Sequence, residues 1–228
     1  MGLILNLETA TTVCSVALAK DGELLSAEEL NGDYTHAENL NLFIIRVLEK
    51  AKLSLASIDA VSISKGPGSY TGLRIGVSAA KGLCYSLDKP LIAINTLEHS
   101  AYACSQLHGD ANALFCPMID ARRMEVYCAI FDKENKLISP TSAVIIDEHS
   151  FETILQKQKI FFFGDGAEKC KTILSSYSNA VFVDAFFPSA KNMVSLSEKA
   201  FQNKQFEDVA YFEPFYLKDF IAGKKSSS

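Results

Sequence analysis

Lys65-Gly66-Pro67-Gly68-Ser69-Tyr70-Thr71-Gly72-Leu73-Arg74-Ile75-Gly76 stands between a short apolar run at 60–64 and a stretch of helical composition at 73–87 that Pro90 stops. Strand, glycine-rich loop, helix is the order in which successive backbone N–H groups and a helix N-terminus converge on an anion. Phosphate would be the guest, with Gly66, Gly68, Ser69, Thr71 and Gly72 as its cradle and Arg74, one turn into the helix, as a bidentate clamp. The spacing G-x-G-x-x-x-G is not the dinucleotide G-x-G-x-x-G, and no Lys-Ser/Thr follows as in a P-loop. A plainer reading stays open: a tight turn whose glycines permit positive φ, with Arg74 in a surface ion pair.

Outward from the loop the chain reads as alternating strands and helices. Residues 3–7 and 13–19 are apolar runs around the turn Glu8-Thr9-Ala10-Thr11-Thr12, and Asp21-Gly22 signals a hairpin before 24–30, which together make a three-stranded meander. Between 36 and 52, Leu40, Phe43, Ile44, Val47, Leu48 and Ala51 fall on one helical stripe. A strand at 91–94 and a helix at 96–107 follow. After the breaker Gly109-Asp110 the order recurs: strands at 114–120 and 126–131 around Ala121-Arg122-Arg123, a third at 144–146, a helix near 148–156, a strand at 160–163, the turn Gly164-Asp165-Gly166, a helix from Ala167, a strand at 181–183 and a helix at 195–203. Two related α/β lobes are expected, 1–108 and 109–228, with a solvated tail at 224–228.

Hydrophobic residues make up 48% and charged residues 21% of the 228, an ordinary globular balance. No uncharged apolar run approaches the roughly 18 residues that span a bilayer, and no basic leader with an apolar core opens the chain, so a cytoplasmic protein is expected. The formal net charge of −5 repels phosphate backbones, so nucleic acid must be held mainly by something else. The six cysteines include no C-x-x-C pair and sit in apolar segments, as buried structural thiols do. The four histidines include neither H-x-x-x-H nor H-E-x-x-H, so no helical zinc pair is available. Ser69 and Thr71 have no His-Asp series to activate them, which disfavours a serine hydrolase. Glu8, Asp120 and Asp165 each end a strand at a turn. Three converging carboxylates would bind Mg²⁺ for phosphoryl transfer, although turns favour Asp for backbone reasons alone. An ATPase or small-molecule kinase acting by itself is the alternative these residues keep open.

Two helices carry more apolar surface than one lobe can bury. On the first, Leu42 and Ile45 project opposite the main stripe, among Glu38, Arg46, Glu49 and Lys52. On the second, Arg74 and Lys81 are the only charges, while Leu73, Gly76, Ala79, Ala80 and Leu83 offer apolar and small surfaces for close approach. Either a partner covers these residues or the second lobe does. Uncovered, such a face pairs with its own copy, which makes a homodimer the expectation in isolation.

The segment Gly66–Gly76 resembles the G-P-G-S-[FY]-T-G-L-R-I-G run of the bacterial TsaB family, also called YeaZ. Leu5-Asn6-Leu7-Glu8-Thr9-Ala10-Thr11 with Cys14-Ser15-Val16-Ala17-Leu18 resembles its opening, His36-Ala37-Glu38 the start of its first helix, and Asp120-Ala121-Arg122-Arg123-Met124-Glu125-Val126-Tyr127 its D-A-R-R-x-E-V-Y run. Gly164-Asp165-Gly166-Ala167 and Pro214-Phe215-Tyr216-Leu217 are weaker echoes, so the resemblance covers essentially the whole chain, in order. It implies an actin-like, Hsp70-like (ribonuclease H-like) fold with duplicated lobes. It also implies a non-catalytic subunit in making threonylcarbamoyladenosine on tRNA. The partner it implies is the paralogue TsaD, which holds a metal through helix histidines and modifies adenosine beside the anticodon; the ATPase TsaE joins them, and tRNA is met only through the complex. No cofactor is then required by this chain itself, with ATP or ADP expected at most at the surface shared with TsaD. One departure is Glu8 in place of the usual Asp, which moves that carboxylate by a methylene and weakens any nucleotide chemistry there.

Overall fold

The computed structural model of the chain describes residues 1–32, 36–108 and 110–218. Its first sheet is built from β1 (Leu3–Glu8), β2 (Val13–Lys20), β3 (Glu23–Asn31), β4 (Ala60–Ser64) and β5 (Leu91–Ile94) in the order β3-β2-β1-β4-β5. Asp21 and Gly22, both at positive φ, close the β2–β3 hairpin. β1 pairs antiparallel with β2 and parallel with β4, and every residue of β1 and β4 is buried, so this pair lies at the centre. A second sheet, β6 (Leu114–Asp120), β7 (Glu125–Phe131), β8 (Leu137–Ile145), β9 (Ile160–Phe163) and β10 (Ala180–Val183), has the order β10-β9-β6-β7-β8. Counted from its own first strand this is the same topology, a meander followed by two parallel strands. It is the duplicated α/β arrangement of the actin-like class.

The helices decide where the surfaces fall. α1 (His36–Ala51) and α2 (Tyr70–Leu87) cover the outer face of the first sheet, where Leu40, Phe43, Val47 and Val77 meet Leu5, Leu7, Val16 and Ile63. α3 (Thr96–Leu107) leaves that sheet and packs Leu97, Ala101 and Cys104 against Phe115, Ile119, Phe161 and Phe163 of the second. α4 (Glu152–Leu155) and α5 (Ala167–Leu174) cover the far side of the second sheet through Leu155, Cys170 and Leu174. The chain then returns. A 3-10 turn, Ala190–Met193, and α6 (Val194–Gln202) bring Met193 and Ala200 against Ile4, Ala60, Ile92 and Ile94 on the inner face of the first sheet. Helix packing thus crosses the division near residues 107–112 in both directions. A final strap runs back along α2: the Glu207 N–H donates to the Leu91 carbonyl, Lys81 Nζ to the carbonyls of Ala210 (3.1 Å) and Phe212 (3.0 Å), and the Phe215 N–H to Lys65 O (2.7 Å).

Two elements differ from expectation. The third strand of the second sheet runs over Leu137–Ile145 rather than 144–146, because it is an edge strand, where partly exposed polar residues and Pro140 are tolerated and leave no apolar alternation to read. The helix near 148–156 shrinks to the single turn of α4. Asp147 Oδ1 accepts from the His149 N–H, Ser150 Oγ accepts from the Asp147 N–H, and Phe151 sits at positive φ, so a local turn occupies what would have been its first half. All six cysteines are free and buried, and burial pushes Cys14 up to about 11 and Cys104 up to about 12. Among the described residues no helix is long and apolar enough to cross a membrane. Gly109 and the tail at 224–228 lie outside the described residues.

Candidate functional site

At the C-terminal end of β4 the glycine loop folds onto the turn that follows β1. Gly66 has φ +108°, the left-handed region that glycine enters freely. The other glycines serve contact: a Cβ at Gly68 would overlap the Ala10 carbonyl oxygen, one at Gly72 the Thr9 carbonyl oxygen, and one at Gly76 the Thr9 hydroxyl. The N–H groups are engaged as well. Gly66 donates to Thr96 Oγ1 (3.1 Å), Ser69 to Ala10 O (2.7 Å), Gly72 to Ser69 Oγ (3.3 Å) and Leu73 to Ser69 O (2.8 Å). Of the loop amides expected to cradle a phosphate, those of Gly66, Ser69 and Gly72 are thus already engaged inside the chain. Of the residues expected at that site, Ser69, Thr71 and Arg74 are exposed.

Behind the loop lies a buried polar cluster that no motif signalled. Glu8 Oε2 meets His99 Nε2 at 2.7 Å, and both side chains are 0% exposed. The second oxygen, Oε1, accepts the Ala10 N–H at 2.5 Å. Ser64 Oγ lies 2.7 Å from Thr96 Oγ1 and 3.5 Å from the same His99 Nε2. A Ser-His-Glu set therefore exists, but serine and carboxylate face one ring nitrogen, so His99 has no free base to offer the hydroxyl. The cluster fastens α3 to the β1 turn and the glycine loop.

The three strand-end carboxylates do not converge, which corrects the shared Mg²⁺ site they suggested: Glu8 is engaged by His99, while Asp120 and Asp165 meet each other in the second lobe. Asp165 Oδ1 accepts the Asp120 N–H at 3.2 Å, and Asp120 pairs with Lys169. Burial, followed by the charge of Asp120, pushes Asp165 up to about 6. A cavity of about 400 Å³ lies beside it, walled by Phe182, Phe186 and Phe187. Among the described residues no three His, Cys, Asp or Glu side chains gather as metal ligands. Arg122 and Arg123 take positive φ in the exposed β6–β7 turn.

The remaining candidate is the outward side of α1 and α2. Leu42 and Ile45 are 48% and 50% exposed, one helical turn apart. Ala79 and Leu83 are half-buried at the edge of the core. Leu73, Gly76 and Ala80 are buried against the first sheet, which corrects their expected place in an interface. The outer stripe of α2 is instead Thr71, Arg74, Ser78, Gly82 and Tyr85. Tyr85, 86% exposed, was not singled out in the sequence, although it follows Ser78 by seven residues on the same stripe. Between the helices runs a groove of about 530 Å³ lined by His36, Leu40, Asn41, Arg74, Ser78 and Ala79 among others. The Arg74 guanidinium lies 4.6 Å over the Tyr70 ring, whose far neighbour is Tyr216 at 4.9 Å between centroids. Apolar residues, one guanidinium and neutral polar groups on two helices make an open groove rather than an enclosed reaction chamber.

Comparison with known proteins agrees with this picture. The family model described as TsaD, tRNA N6-adenosine threonylcarbamoyltransferase, matches residues 33–225. The tRNA threonylcarbamoyladenosine biosynthesis protein TsaB of Haemophilus influenzae is 31% identical, over 97% of this chain and 96% of its own length. Its Escherichia coli counterpart is 31% identical, over 97% of each chain. The solved structure of YeaZ from Pseudomonas aeruginosa superposes with a TM-score of 0.81 at 25% identity, covering 95% of this chain and all of that one, and has the same fold.

Proposed function

Because the chain belongs to the TsaB family, within the broader family whose model describes the threonylcarbamoyltransferase itself, we propose that it is a non-catalytic subunit of the cytoplasmic machinery that makes threonylcarbamoyladenosine on tRNA. It pairs with a TsaD-type transferase through α1 and α2, TsaE joins that pair, and tRNA is met through the complex. The observation that carries the reading is the half-exposed pair Leu42 and Ile45 on α1, the helix whose Leu40 and Asn41 line the groove with α2. Burying each such side chain is worth about 1.5–3 kcal/mol, enough for a few of them to sustain an interface. The match to the transferase's own family model supports a partner of the same fold, which would bring an equivalent pair of helices. Without that partner, the same face joins two copies of this chain. A nucleotide at the shared surface would meet Arg74 and Thr71 and not the loop amides. Nothing in the site favours an ATPase or kinase acting alone, since its Glu8 carboxylate is held by His99.

The test is titration of the purified chain with a TsaD-type transferase. Leu42→Glu with Ile45→Glu should weaken binding by more than about 100-fold while circular dichroism and Tm stay as in the parent, because both side chains already face outward. Unchanged affinity would remove these helices from the interface.

A further inference from the structure

We propose that the groove between α1 and α2 receives an acidic side chain from the partner's docking helix, clamped by Arg74, with Tyr216 of the C-terminal strap positioning the clamp. This rests on the pairing proposed above and names the chemistry the partner must present.

Among the described residues the groove has one full positive charge, no carboxylate lines it, and none pairs with Arg74. Asn41 and Ser78, on the facing helices, add an amide and a hydroxyl to the same wall. His36, also in the lining, is 7% exposed and has its Nε2 buried without a hydrogen-bond partner. Such a set of donors is complementary to an anion. Ala79 and Ile75 also line it, and α1 carries the exposed Leu42 and Ile45 next to the lining residue Asn41 in sequence, which suits the apolar face of a helix rather than a free ion. A guanidinium held over an aromatic ring by its face keeps its edge N–H groups available in its own plane, where a carboxylate takes two of them at once.

The strap supplies the rigidity. Lys81 holds the carbonyls of Ala210 and Phe212, and the Phe215 N–H is fastened to Lys65 O at 2.7 Å. Tyr216 follows directly and packs on Tyr70. Arg74 is thereby ordered before any partner arrives, which lowers the entropy lost on binding. The strap begins beyond α6, so the end of the sequence shapes a surface made by residues near its beginning.

The experiment is calorimetric titration with a TsaD-type transferase at low and high salt, using the parent, Arg74→Ala, Arg74→Lys, Tyr216→Ala, the Arg74→Ala/Tyr216→Ala pair and Leu42→Glu. Arg74→Ala should weaken binding about 30-fold or more and abolish most of the salt dependence. Arg74→Lys, which keeps the charge but loses the fork and the stack, should recover only part of it. Tyr216→Ala should cost about fivefold in the parent and nothing further in the Arg74→Ala background, the signature of two residues acting as one. If Arg74→Ala binds like the parent while Leu42→Glu does not, the interface stands and the clamp is wrong. If the Arg74 effect arises only with ATP or ADP present, the guanidinium serves a phosphate and the acidic side chain is wrong. If the parent itself does not bind, the pairing fails and the clamp with it.

Discussion

The two sheets share a topology and use it for opposite purposes. In the first, the carboxylate ending the leading strand, Glu8, is sealed from water against His99; in the second, its counterpart Asp120 is 48% exposed and pairs with Lys169 in solvent. After the fourth strand both carry a G-x-G turn whose first glycine has positive φ, Gly66 at +108° and Gly164 at +101°, each pressed against other backbone atoms. The helix that follows differs: 18 residues in α2, 8 in α5. The helix before that strand differs too, 16 residues in α1 against 4 in α4. Duplicated backbone rules fix the turns, while the length and outward composition of the helices set the two lobes apart. The first lobe is locked inside and carries exposed apolar side chains outside; the second is open at its turn and thinly covered.

Breaking the lock should have the largest effect. His99→Leu leaves the Glu8 carboxylate buried without its partner and should lower stability by about 3–5 kcal/mol in denaturant unfolding, while Asp120→Ala, at the matching place in the second lobe, should stay within about 1 kcal/mol of the parent. Equal losses would mean that the two turns are equally built in. Next comes pH. The folded-state pKa of Asp165, about 6, lies above the ordinary carboxylate value, so the folded protein binds that proton more tightly than the unfolded chain does. Its contribution to stability is fully present below about pH 4, is lost as pH rises through about 6, and is on the order of 2 kcal/mol. Asp165→Asn should flatten that part of the stability profile, and an unaltered slope would show that the second-lobe turn is solvated as ordinary surface. The smallest effect should come from α2. Gly82 faces open space, so Gly82→Ala should raise stability by up to about 1 kcal/mol through helix propensity alone.

Strand positions were legible wherever a strand is central, because burial on both faces writes a continuous apolar run, as in β1, β4 and β9. The edge strand β8 was not, since its residues need satisfy no single face. The spacing of the glycine loop also marks close packing on Thr9 and Ala10, and sequence spacing does not distinguish an N–H donated to phosphate from one donated to a neighbouring carbonyl. A helical wheel picked out Leu42 and Ile45 correctly as outward-facing, because the buried stripe of α1 is unambiguous. On α2 small and apolar residues occupy most directions, and the wheel alone did not say which side meets the sheet; Leu73, Gly76 and Ala80 fell inside. The Glu8–His99 pair spans 91 residues, and no local pattern announces it.

The exchange of covers, α3 over the second sheet and α6 with its strap over the first, bears on biogenesis. A nascent polypeptide that has emerged only through β5 holds a sheet with one bare side, and the segment that will close it has not yet been translated. Completion of the amino-terminal half therefore waits until α6 has been synthesised, and a product that stops at β5 keeps that apolar face bare.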